Sequence, residues 1–367
     1  MPTPDSQTDV IVVGAGFAGA LAAHVLARRG LSVAAVDLHP VYGSDFRCEK
    51  FGADQAAMLE ELGVVQLLCP QGAPALIQQG LRYDRMVNAL RQAWPDQVRF
   101  HQGRVQAIES HDDDQHVVLS TGQSLRARLV VLATGPGERL RKSLGMTRRL
   151  IRAQHSICIG FSLAPPDRGS FGFTSLVRHG RRAGDGVGFV SLFPMDGAMR
   201  VNLFGYRDPA GEWARSFRAD PLGALIGTFP ELEPLVGDAE VLGPAEFGVT
   251  DLYEISGFAR PGVVVIGDAF GTSCPATAMG MTRILTDVRQ LALTHAPAWF
   301  ASPGMGREKI AAFYQDPVKQ AVDRQSRRRA ETARLMAVAT GPRWRGRRLL
   351  GRLKRSLKTP PPLRAAA

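Results

Sequence analysis

The sequence is poor in cysteine. Only four cysteines occur among 367 residues, and they are Cys48, Cys69, Cys158 and Cys274. None of them forms a CxxC pair or a regular framework, so the sequence excludes a disulfide scaffold and predicts no zinc or other metal site. Scarce and unpaired cysteines indicate a reducing compartment.

Long apolar runs are also missing. No uninterrupted apolar stretch approaches the roughly 18 residues that a membrane-spanning helix needs. The first apolar strand begins at Val10, and no basic segment followed by an apolar stretch precedes it, as a signal peptide would require. We therefore expect a cytoplasmic protein.

Acidic residues are absent from the C-terminal end. The chain has a net charge of +11, but nine basic residues lie between Thr340 and Ala367, so the first 339 residues carry only +2. A basic charge confined to one appendage argues against a nucleic-acid binder. Residues 341–358 place leucines on one helical face among Arg and Lys, at positions Leu349, Leu350, Leu353 and Leu357. This pattern predicts a peripheral membrane helix or a docking site for an acidic protein partner, with a solvated tail as the alternative.

A glycine-rich loop stands between a strand and a helix in residues 9–37. Its sequence is GAGFAG, formed by Gly14, Ala15, Gly16, Phe17, Ala18 and Gly19. The first glycine permits a tight turn, the second lets the backbone approach a pyrophosphate, and the third allows the helix to pack closely on the strand. The helix N-terminus offers N–H groups to phosphates, and Asp37, which ends the second strand, can accept from ribose hydroxyls. The segment predicts a dinucleotide site without separating NAD from FAD.

Three further stretches carry a family resemblance. They are FRCEKFGADQAAMLEELGVV (46–65), ARLVVLATGPGERLRKSLG (127–145) and GDAFGTSCPATAMGM (267–281). With the glycine loop, they resemble the FAD-dependent group A monooxygenases of the para-hydroxybenzoate hydroxylase class, with some features of the geranylgeranyl-reductase branch. The resemblance covers residues 1–145 and 257–295 and is looser between them. It implies FAD as the cofactor and NAD(P)H as the co-substrate.

The third stretch matches the second FAD motif of that family. Gly267, Asp268, Ala269, Pro275, Gly280 and Asp287 fall into its frame. Asp268 ends a buried strand and can accept from a ribityl hydroxyl. Gly280 and Met281 open a helix whose dipole would favour negative charge on the reduced flavin. The small residues around Pro275 leave room for the ring and a substrate, so Pro275 and Gly280 are the candidates closest to the chemistry.

The resemblance assigns five more positions to the cofactor. Arg47 matches an arginine near the pyrophosphate, a role that suits a bidentate guanidinium, and Arg85 matches a recurrent arginine near the cofactor. A plain surface role remains the alternative for both arginines. Val105 would flank the adenine, and Thr134 with Gly135 would end the strand beside the glycine loop.

The sequence departs from the family at several points. Thr134 and Glu138 replace the Asp and Ser of the family's middle motif, in which the Asp helps to position the pyridine nucleotide. Gly271 replaces the usual histidine, as in the geranylgeranyl-reductase and halogenase branches, but the halogenase signature WxWxIP is absent. Cys48 and Cys274 lie beside the predicted flavin loops, either as redox-active thiols or as small residues that fill space.

The predicted fold is α/β. A Rossmann-like FAD-binding domain is assembled from residues 1–150 and 257–295, and a mixed or antiparallel β-sheet substrate domain at 151–256 is inserted into it. C-terminal helices at 296–340 and a basic tail at 341–367 follow. In the inserted part, residues 211–236 predict helices interrupted at Pro221 and Pro230, and the candidate pocket residues are His155, Arg178, Phe193, Pro194 and Asn202. The sequence indicates no general base.

The leading functional hypothesis is an NAD(P)H-dependent monooxygenase that acts on a small organic or lipophilic substrate and O₂. The resemblance implies that hydride reduces the flavin and that O₂ then forms a C4a-hydroperoxyflavin, which hydroxylates the substrate. One alternative is a flavin-dependent reductase or dehydrogenase of an isoprenoid or other unsaturated substrate, favoured by Gly271 and Cys48. A second alternative is a maturation or assembly flavoprotein whose tail docks a partner.

Overall fold

The computed structural model describes residues 6–165 and 170–356, except for the side chains of Ser6 and of residues 352–356. Its strands are β1 (Ser6–Val13), β2 (Val33–Asp37), β3 (Cys48–Glu49), β4 (Leu81–Arg82), β5 (Val98–Gln102), β6 (Val105–Ser110), β7 (Gln115–Leu119), β8 (Ser124–Leu132), β9 (Thr147–Ala164), β10 (Leu176–His179), β11 (Val187–Met195), β12 (Ala198–Gly205), β13 (Glu240–Ser256) and β14 (Val263–Val265). Its α-helices are α1 (Phe17–Arg28), α2 (Ala53–Glu61), α3 (Val65–Leu68), α4 (Ala73–Gln78), α5 (Tyr83–Gln92), α6 (Arg139–Ser143), α7 (Glu212–Ala219), α8 (Pro221–Thr228), α9 (Glu233–Val236), α10 (Met279–Arg289), α11 (Ala296–Phe300), α12 (Arg307–Gln315), α13 (Pro317–Val338) and α14 (Pro342–Ser356).

The main sheet has a parallel part in the order β5, β2, β1, β8, β14. Strand β8 is long enough to pair with β14 near its end and with antiparallel β7 near its start. Alternate residues of β1 enter two cores, with Val10 and Val12 facing α1, α5 and α10, and Ile11 and Val13 facing β6 and β7. Burial on both faces explains why the strand reads as a continuous apolar run. The carboxyl ends of β2, β1, β8 and β14 consequently meet at one edge of the sheet.

The second sheet is antiparallel, in the order β10, β11, β12, β9, β13. Its two longest strands, β9 and β13, run from this sheet back to the main core, where Tyr253 and Ile255 are buried. Helices α7, α8 and α9 cover one face through Phe217, Leu225 and Val236. The predicted α/β class with an antiparallel second sheet is therefore confirmed, whereas the domain boundaries stay a prediction.

The C-terminal helices pack on the main sheet through α10. The sequence predicts this helix over 281–293, but it begins at Met279, after Ala278 in a left-handed conformation, and ends at Arg289 in a π-helical turn, Gln290–His295. Asp316 caps α13 by accepting from the amides of Val318 and Lys319. The helix predicted in the basic tail is observed as α14, while Leu357 and Lys358 lie outside the described residues.

A buried ion network joins α10 to α13. The Lys319 side chain is 1% exposed, and its Nζ lies 2.6 Å from Asp287 Oδ1 and 3.3 Å from Asp323 Oδ2. Asp323 Oδ1 accepts from Arg283 Nε at 2.8 Å. The second oxygen of Asp287 accepts from the Gly267 amide at 2.9 Å. Two cations thus balance two carboxylates, and the network holds the loop that follows β14.

We predict that Lys319→Met destabilises the protein strongly. It leaves the buried carboxylates of Asp287 and Asp323 with a single cation, and breaking a buried pair in this way costs about 3–5 kcal/mol of unfolding free energy. Urea denaturation measures the loss. Lys142→Met is the matched control, because the exposed Lys142 pairs with Glu138 at the surface, where such a pair contributes about 0–1 kcal/mol. Equal losses in both variants would contradict the prediction.

Candidate active site

The glycine loop after β1 is shaped by close backbone contacts. Gly14 has a φ of +91°, and a Cβ there would lie 2.7 Å from Ala133 O. A Cβ on Gly19 would lie 1.8 Å from Gly14 O, so no side chain fits between the loop and α1. A Cβ on Gly16, in contrast, would meet no atom within 4 Å. Open space therefore lies beside the N-terminus of α1, where the glycine-rich loop GAGFAG predicts a phosphate.

Asp37 and Arg91 hold this loop in place. Asp37 Oδ2 accepts from the Ala15 amide at 2.6 Å and lies 3.3 Å from Arg91 Nη2. Arg91 Nε donates to Ala15 O at 2.8 Å, and Nη1 donates to His39 O at 2.7 Å. Asp37 thus supports the loop before any ribose contact. The sequence analysis missed Arg91, whose only signal is its place on the buried face of α5, four residues after Val87.

Arg85, which the resemblance assigned to the cofactor, lies elsewhere. Its side chain is 66% exposed and pairs with Asp196. It lines a separate cavity with Pro194 and Met195, away from the other residues assigned to the cofactor. On α5, Arg91 rather than Arg85 reaches the glycine loop.

The loops after β8 and β14 meet the glycine loop at the sheet edge. Thr134 lies beside Gly14, and its buried Oγ1 has no hydrogen-bond partner among the described residues. Gly135 and Gly267 have φ values of +62° and +60°, and a Cβ on Gly267 would lie 3.1 Å from the Cβ of Ala18. The structure therefore brings together three segments that are far apart in the sequence.

Arg141 ties the same loops to one another. Its side chain is buried and donates to Pro136 O, Gly137 O and Ala269 O. The contacts identify Arg141 as the arginine that joins the β8 loop to the β14 loop.

Phe17 and Val105 are part of the core. The Phe17 side chain is fully buried near Tyr83, so only the backbone of this residue could face a ligand. Val105 opens β6 and is 5% exposed. Their predicted contacts with the cofactor stay predictions.

A cavity of about 650 Å³ lies between the main sheet and the second sheet. Five of the residues assigned to the cofactor or to the chemistry line it, and they are Arg47, Asp268, Pro275, Gly280 and Met281. Residues that the cofactor assignments did not include also line it, among them Cys48, Glu49, Tyr83, Cys158, Asn202, Phe204 and Tyr253. The N-terminus of α10 opens on this cavity, so its free N–H groups and dipole favour negative charge there.

Arg47 is fixed at the rim of the cavity. Its guanidinium pairs with Asp45 and donates to Tyr42 Oη at 2.8 Å. The guanidinium carbon lies 3.9 Å from the centre of the Tyr83 ring. Stacking on Tyr83 and pairing with Asp45 restrict the motion of the Arg47 side chain. A guanidinium held in this way is suited to positioning an anion.

A hydrogen-bonded row forms the wall contributed by the second sheet. Asn202 Nδ2 donates to Cys48 Sγ at 3.1 Å, and Arg200 Nε donates to Asn202 Oδ1 at 3.2 Å. Burial raises the pKa of the Cys48 thiol and raises that of Cys158 to about 12. Both cysteines are therefore neutral thiols near neutral pH, which favours the space-filling interpretation of Cys48 over a reactive thiolate.

The other pocket candidates from the middle of the sequence lie outside this cavity. His155 is buried against the Tyr206 ring, and burial lowers its pKa to about 4. Cys274 is buried 3.5 Å from Tyr206 Oη. Phe193 packs against Gly80, and Arg178 is half-buried on edge strand β10. Among the five candidates, only Asn202 reaches the cavity.

Glu49 is the functional candidate that the sequence analysis missed. It ends β3, lines the cavity and has no hydrogen-bond partner for its carboxyl group among the described residues. Burial raises its pKa to about 7, with Arg47 opposing the shift and Asp268 and Asp45 adding to it. Burial also raises the pKa of Asp268. The only sequence signal for Glu49 is its position two residues after Arg47.

Neither a metal centre nor a membrane span is found in the described ranges. Residues 6–165 and 170–356 hold no group of three or more His, Cys, Asp or Glu that could bind a metal. No helix within them is long and apolar enough to cross a membrane.

Comparison with known sequences gives a matching family model and several relatives, among them a hydroxylase and a reductase. A family model described as lycopene cyclase protein matches residues 9–157. The ubiquinone hydroxylase UbiL of Rhodospirillum rubrum is 26% identical over 324 residues, covering 78% of this chain and 72% of that protein. A thioredoxin reductase of Aquifex aeolicus is 29% identical over 145 residues, which are 40% of this chain and 39% of that protein.

Comparison with solved structures shows the fold. p-Nitrophenol 4-monooxygenase PnpA from Pseudomonas putida superposes with a TM-score of 0.72 at 18% identity, covering 96% of this chain and 95% of that one. Anhydrotetracycline hydroxylase OxyS from Streptomyces rimosus gives 0.64 at 17%, covering 94% and 72%. A variant of halogenase PltM in complex with FAD gives 0.66 at 17%, covering 89% and 76%. The fold predicted from the resemblance to FAD-dependent monooxygenases is therefore confirmed.

We predict that Glu49 makes the stability of the protein fall as the pH rises. The pKa of Glu49 is about 7 in the folded chain and 4.5 in the unfolded chain. Between these values the folded state holds more protons, so stability decreases with pH across that window. Urea unfolding at pH 5 and pH 8 should show a smaller loss for Glu49→Gln than for wild type. Glu109→Gln, at an exposed position on β6, should lose stability as the wild type does, and identical losses in all three proteins would disprove the assignment.

Proposed function

We propose that this chain is an FAD-dependent monooxygenase that uses NAD(P)H and O₂ to hydroxylate a small organic or lipophilic substrate. The observation that carries the proposal is the meeting of the glycine loop, the Thr134 turn and the Gly267 loop at one sheet edge, next to a cavity of about 650 Å³. A cavity of this size lies within the range of small-molecule sites. The relatives with the same fold support the reaction class.

The residues at this edge fit FAD. The open space at Gly16 suits the pyrophosphate, the unpartnered Thr134 Oγ1 is available for a hydrogen bond, and the Asp268 carboxylate faces the cavity. Phosphate would lie at Gly16 and the α1 N-terminus, with Arg47 nearby. The residues that would hold the remaining parts of the cofactor are Phe17, Ala18, Asp37, Val105, Thr134, Gly135, Asp268, Gly280 and Met281. Bound FAD would supply the redox chemistry, taking hydride from NAD(P)H and activating O₂.

The protein itself would orient the substrate and manage its proton. Asn202, Cys48 and Phe204 form the wall opposite the α10 N-terminus, and the neutral thiols keep this wall weakly polar. Glu49 is the carboxyl group able to accept a proton from a ring hydroxyl of the substrate, which makes the ring richer in electrons. A base with a pKa near the working pH is the most effective one for such a transfer.

The substrate class to test first is a hydroxylated aromatic with an apolar substituent. The relative whose name is ubiquinone hydroxylase motivates this choice. The cavity also mixes two carboxyl groups, those of Glu49 and Asp268, with apolar and thiol side chains, which suits a phenolic ring.

Two observations reduce the support for a flavin-dependent reductase. A Cβ on Gly271 would lie 2.8 Å from Tyr253 O, so packing against β13 explains this glycine without reference to a reductase branch. The raised pKa of Cys48 leaves no reactive thiolate at neutral pH. Substrate-stimulated O₂ consumption coupled to NAD(P)H oxidation is the test, and reduction of the substrate without O₂ would favour the reductase.

We predict that Gly16→Val abolishes FAD binding while the fold is retained. The φ of Gly16 is −64°, and its missing Cβ would point into open space, so the backbone tolerates valine while the side chain fills the predicted phosphate site. FAD titration should show at least a hundredfold weaker binding with an unchanged circular dichroism spectrum. Gly227→Val on α8, where a Cβ also meets no atom, is the control. FAD binding by Gly16→Val at wild-type affinity would refute the site.

We predict that Glu49→Gln lowers kcat by about 100-fold on a hydroxylated aromatic, which is within the usual contribution of a general base. The wild-type rate should rise with pH through about 7, because only ionised Glu49 accepts a proton. The variant should lack this rise and bind FAD normally. Glu109→Gln serves as the control. An unchanged pH profile would eliminate Glu49 as the base, whereas loss of FAD binding would point to a cofactor contact instead.

A further inference from the structure

Helix α14 is held against the body of the protein in one orientation. Trp344, Arg348 and Gly351 are its half-buried positions, spaced along one face. Arg348 Nη1 donates to Met336 O at 3.0 Å and to Ala339 O at 2.7 Å. A cation at the carboxyl end of α13 also complements the dipole of that helix. The contacts determine which face of α14 points away from the protein.

The outward face combines exposed leucines with arginines. The relative exposures of Leu349 and Leu350 are 59% and 58%, and both residues are therefore exposed side by side. Three arginines along the helix, Arg343, Arg345 and Arg347, are exposed as well, and no acidic residue follows Glu331 in the sequence. Two further leucines, Leu353 and Leu357, follow in the sequence. Single exposed leucines are ordinary, but an apolar row flanked by cations indicates a partner that is both apolar and anionic.

The surface beside α14 extends the positive charge. The turn between β10 and β11 packs against the residues that precede the helix, since the Gly184 amide donates to Ala337 O at 3.1 Å. A Cβ on Gly184 would lie 2.7 Å from Thr340 Cγ2. This turn carries the exposed Arg182, so the basic surface includes more than the helix itself.

We propose that α14 docks in the headgroup region of an anionic lipid bilayer, with its leucines toward the acyl chains and its arginines on the phosphates. An acidic protein surface without an apolar groove would satisfy the arginines alone and leave the leucines in water. A bilayer surface satisfies both, because guanidinium groups bind phosphate well and leucine gains from leaving water. The proposal rests on α14 and does not depend on the proposed function.

Vesicle co-sedimentation of the full-length protein tests this proposal. Vesicles of phosphatidylcholine alone are compared with an equal mixture of phosphatidylcholine and phosphatidylglycerol. We expect binding to the mixture and at least tenfold weaker binding to phosphatidylcholine alone, with a further decrease at high salt because salt screens the attraction. Failure to bind the mixture, or equal binding to both kinds of vesicle, would overturn the proposal.

Two double variants separate the contributions of charge and apolar contact. Leu349→Ser with Leu350→Ser and, separately, Arg343→Glu with Arg345→Glu should each weaken binding at least tenfold. The control is Arg29→Glu with Arg99→Glu, which makes the same change of charge at exposed positions on other elements and should bind the mixed vesicles much as the wild type does.

The lipid proposal fails if the leucine variant binds as the wild type does, since that result means attraction to any polyanion, including an acidic protein. It also fails if the control variant loses as much binding as the α14 arginine variant. FAD titration of every variant provides the independent readout. Unchanged FAD binding in a variant that no longer binds vesicles confirms that the two sites are separate.

Discussion

The carboxylate of Asp287 connects the parts of the protein that face the cavity from the main sheet. One oxygen accepts from the Gly267 amide, and the other pairs with Lys319. Through Asp323 the pairing continues to Arg283, which donates to Gly271 O and Ser273 Oγ. The loop that contains Asp268 is thus held at both ends by buried charges, and its left-handed turn at Gly267 is kept against the start of α1. Removing water from four charges is costly, so such a network is maintained only where each member has its partners.

The opposite boundary of the cavity is built differently. Strands β3 and β4 form a short ribbon that places Arg47, Cys48 and Glu49 between the two sheets, and β12 contributes Asn202. On this side the Glu49 carboxyl group lacks a hydrogen-bond partner among the described residues, and Cys48 and Cys158 are neutral thiols. The cavity therefore joins a rigid support held by buried ion pairs to a wall that carries neutral thiols and an unpartnered carboxyl group. This asymmetry is what a site needs if it must hold a large polar cofactor and also admit an apolar molecule.

Local patterns in the sequence predicted much of the site. The roles of Gly14 and Gly19 follow from backbone contacts within one strand–loop–helix unit, so the glycine-rich sequence alone predicts them. Asp287 was found in the same way, because it belongs to a local motif. Contacts between distant segments were not predictable in this way. Arg91 was missed and Arg85 was chosen, because only the packing of α5 on the glycine loop distinguishes two arginines on one helix. Glu49 and Cys158 were missed because the cavity that they share exists only after the two sheets have come together.

The clamp formed by Arg348 has a mechanical consequence. Arg348 ties α14 to the end of α13, Lys319 ties α13 to α10, and α10 carries the residues that open on the cavity. A continuous series of hydrogen bonds and ion pairs therefore connects the C-terminal helix to the Gly267 loop. Binding of α14 to a surface therefore fixes the orientation of the whole protein. The direction in which the cavity faces is fixed with it.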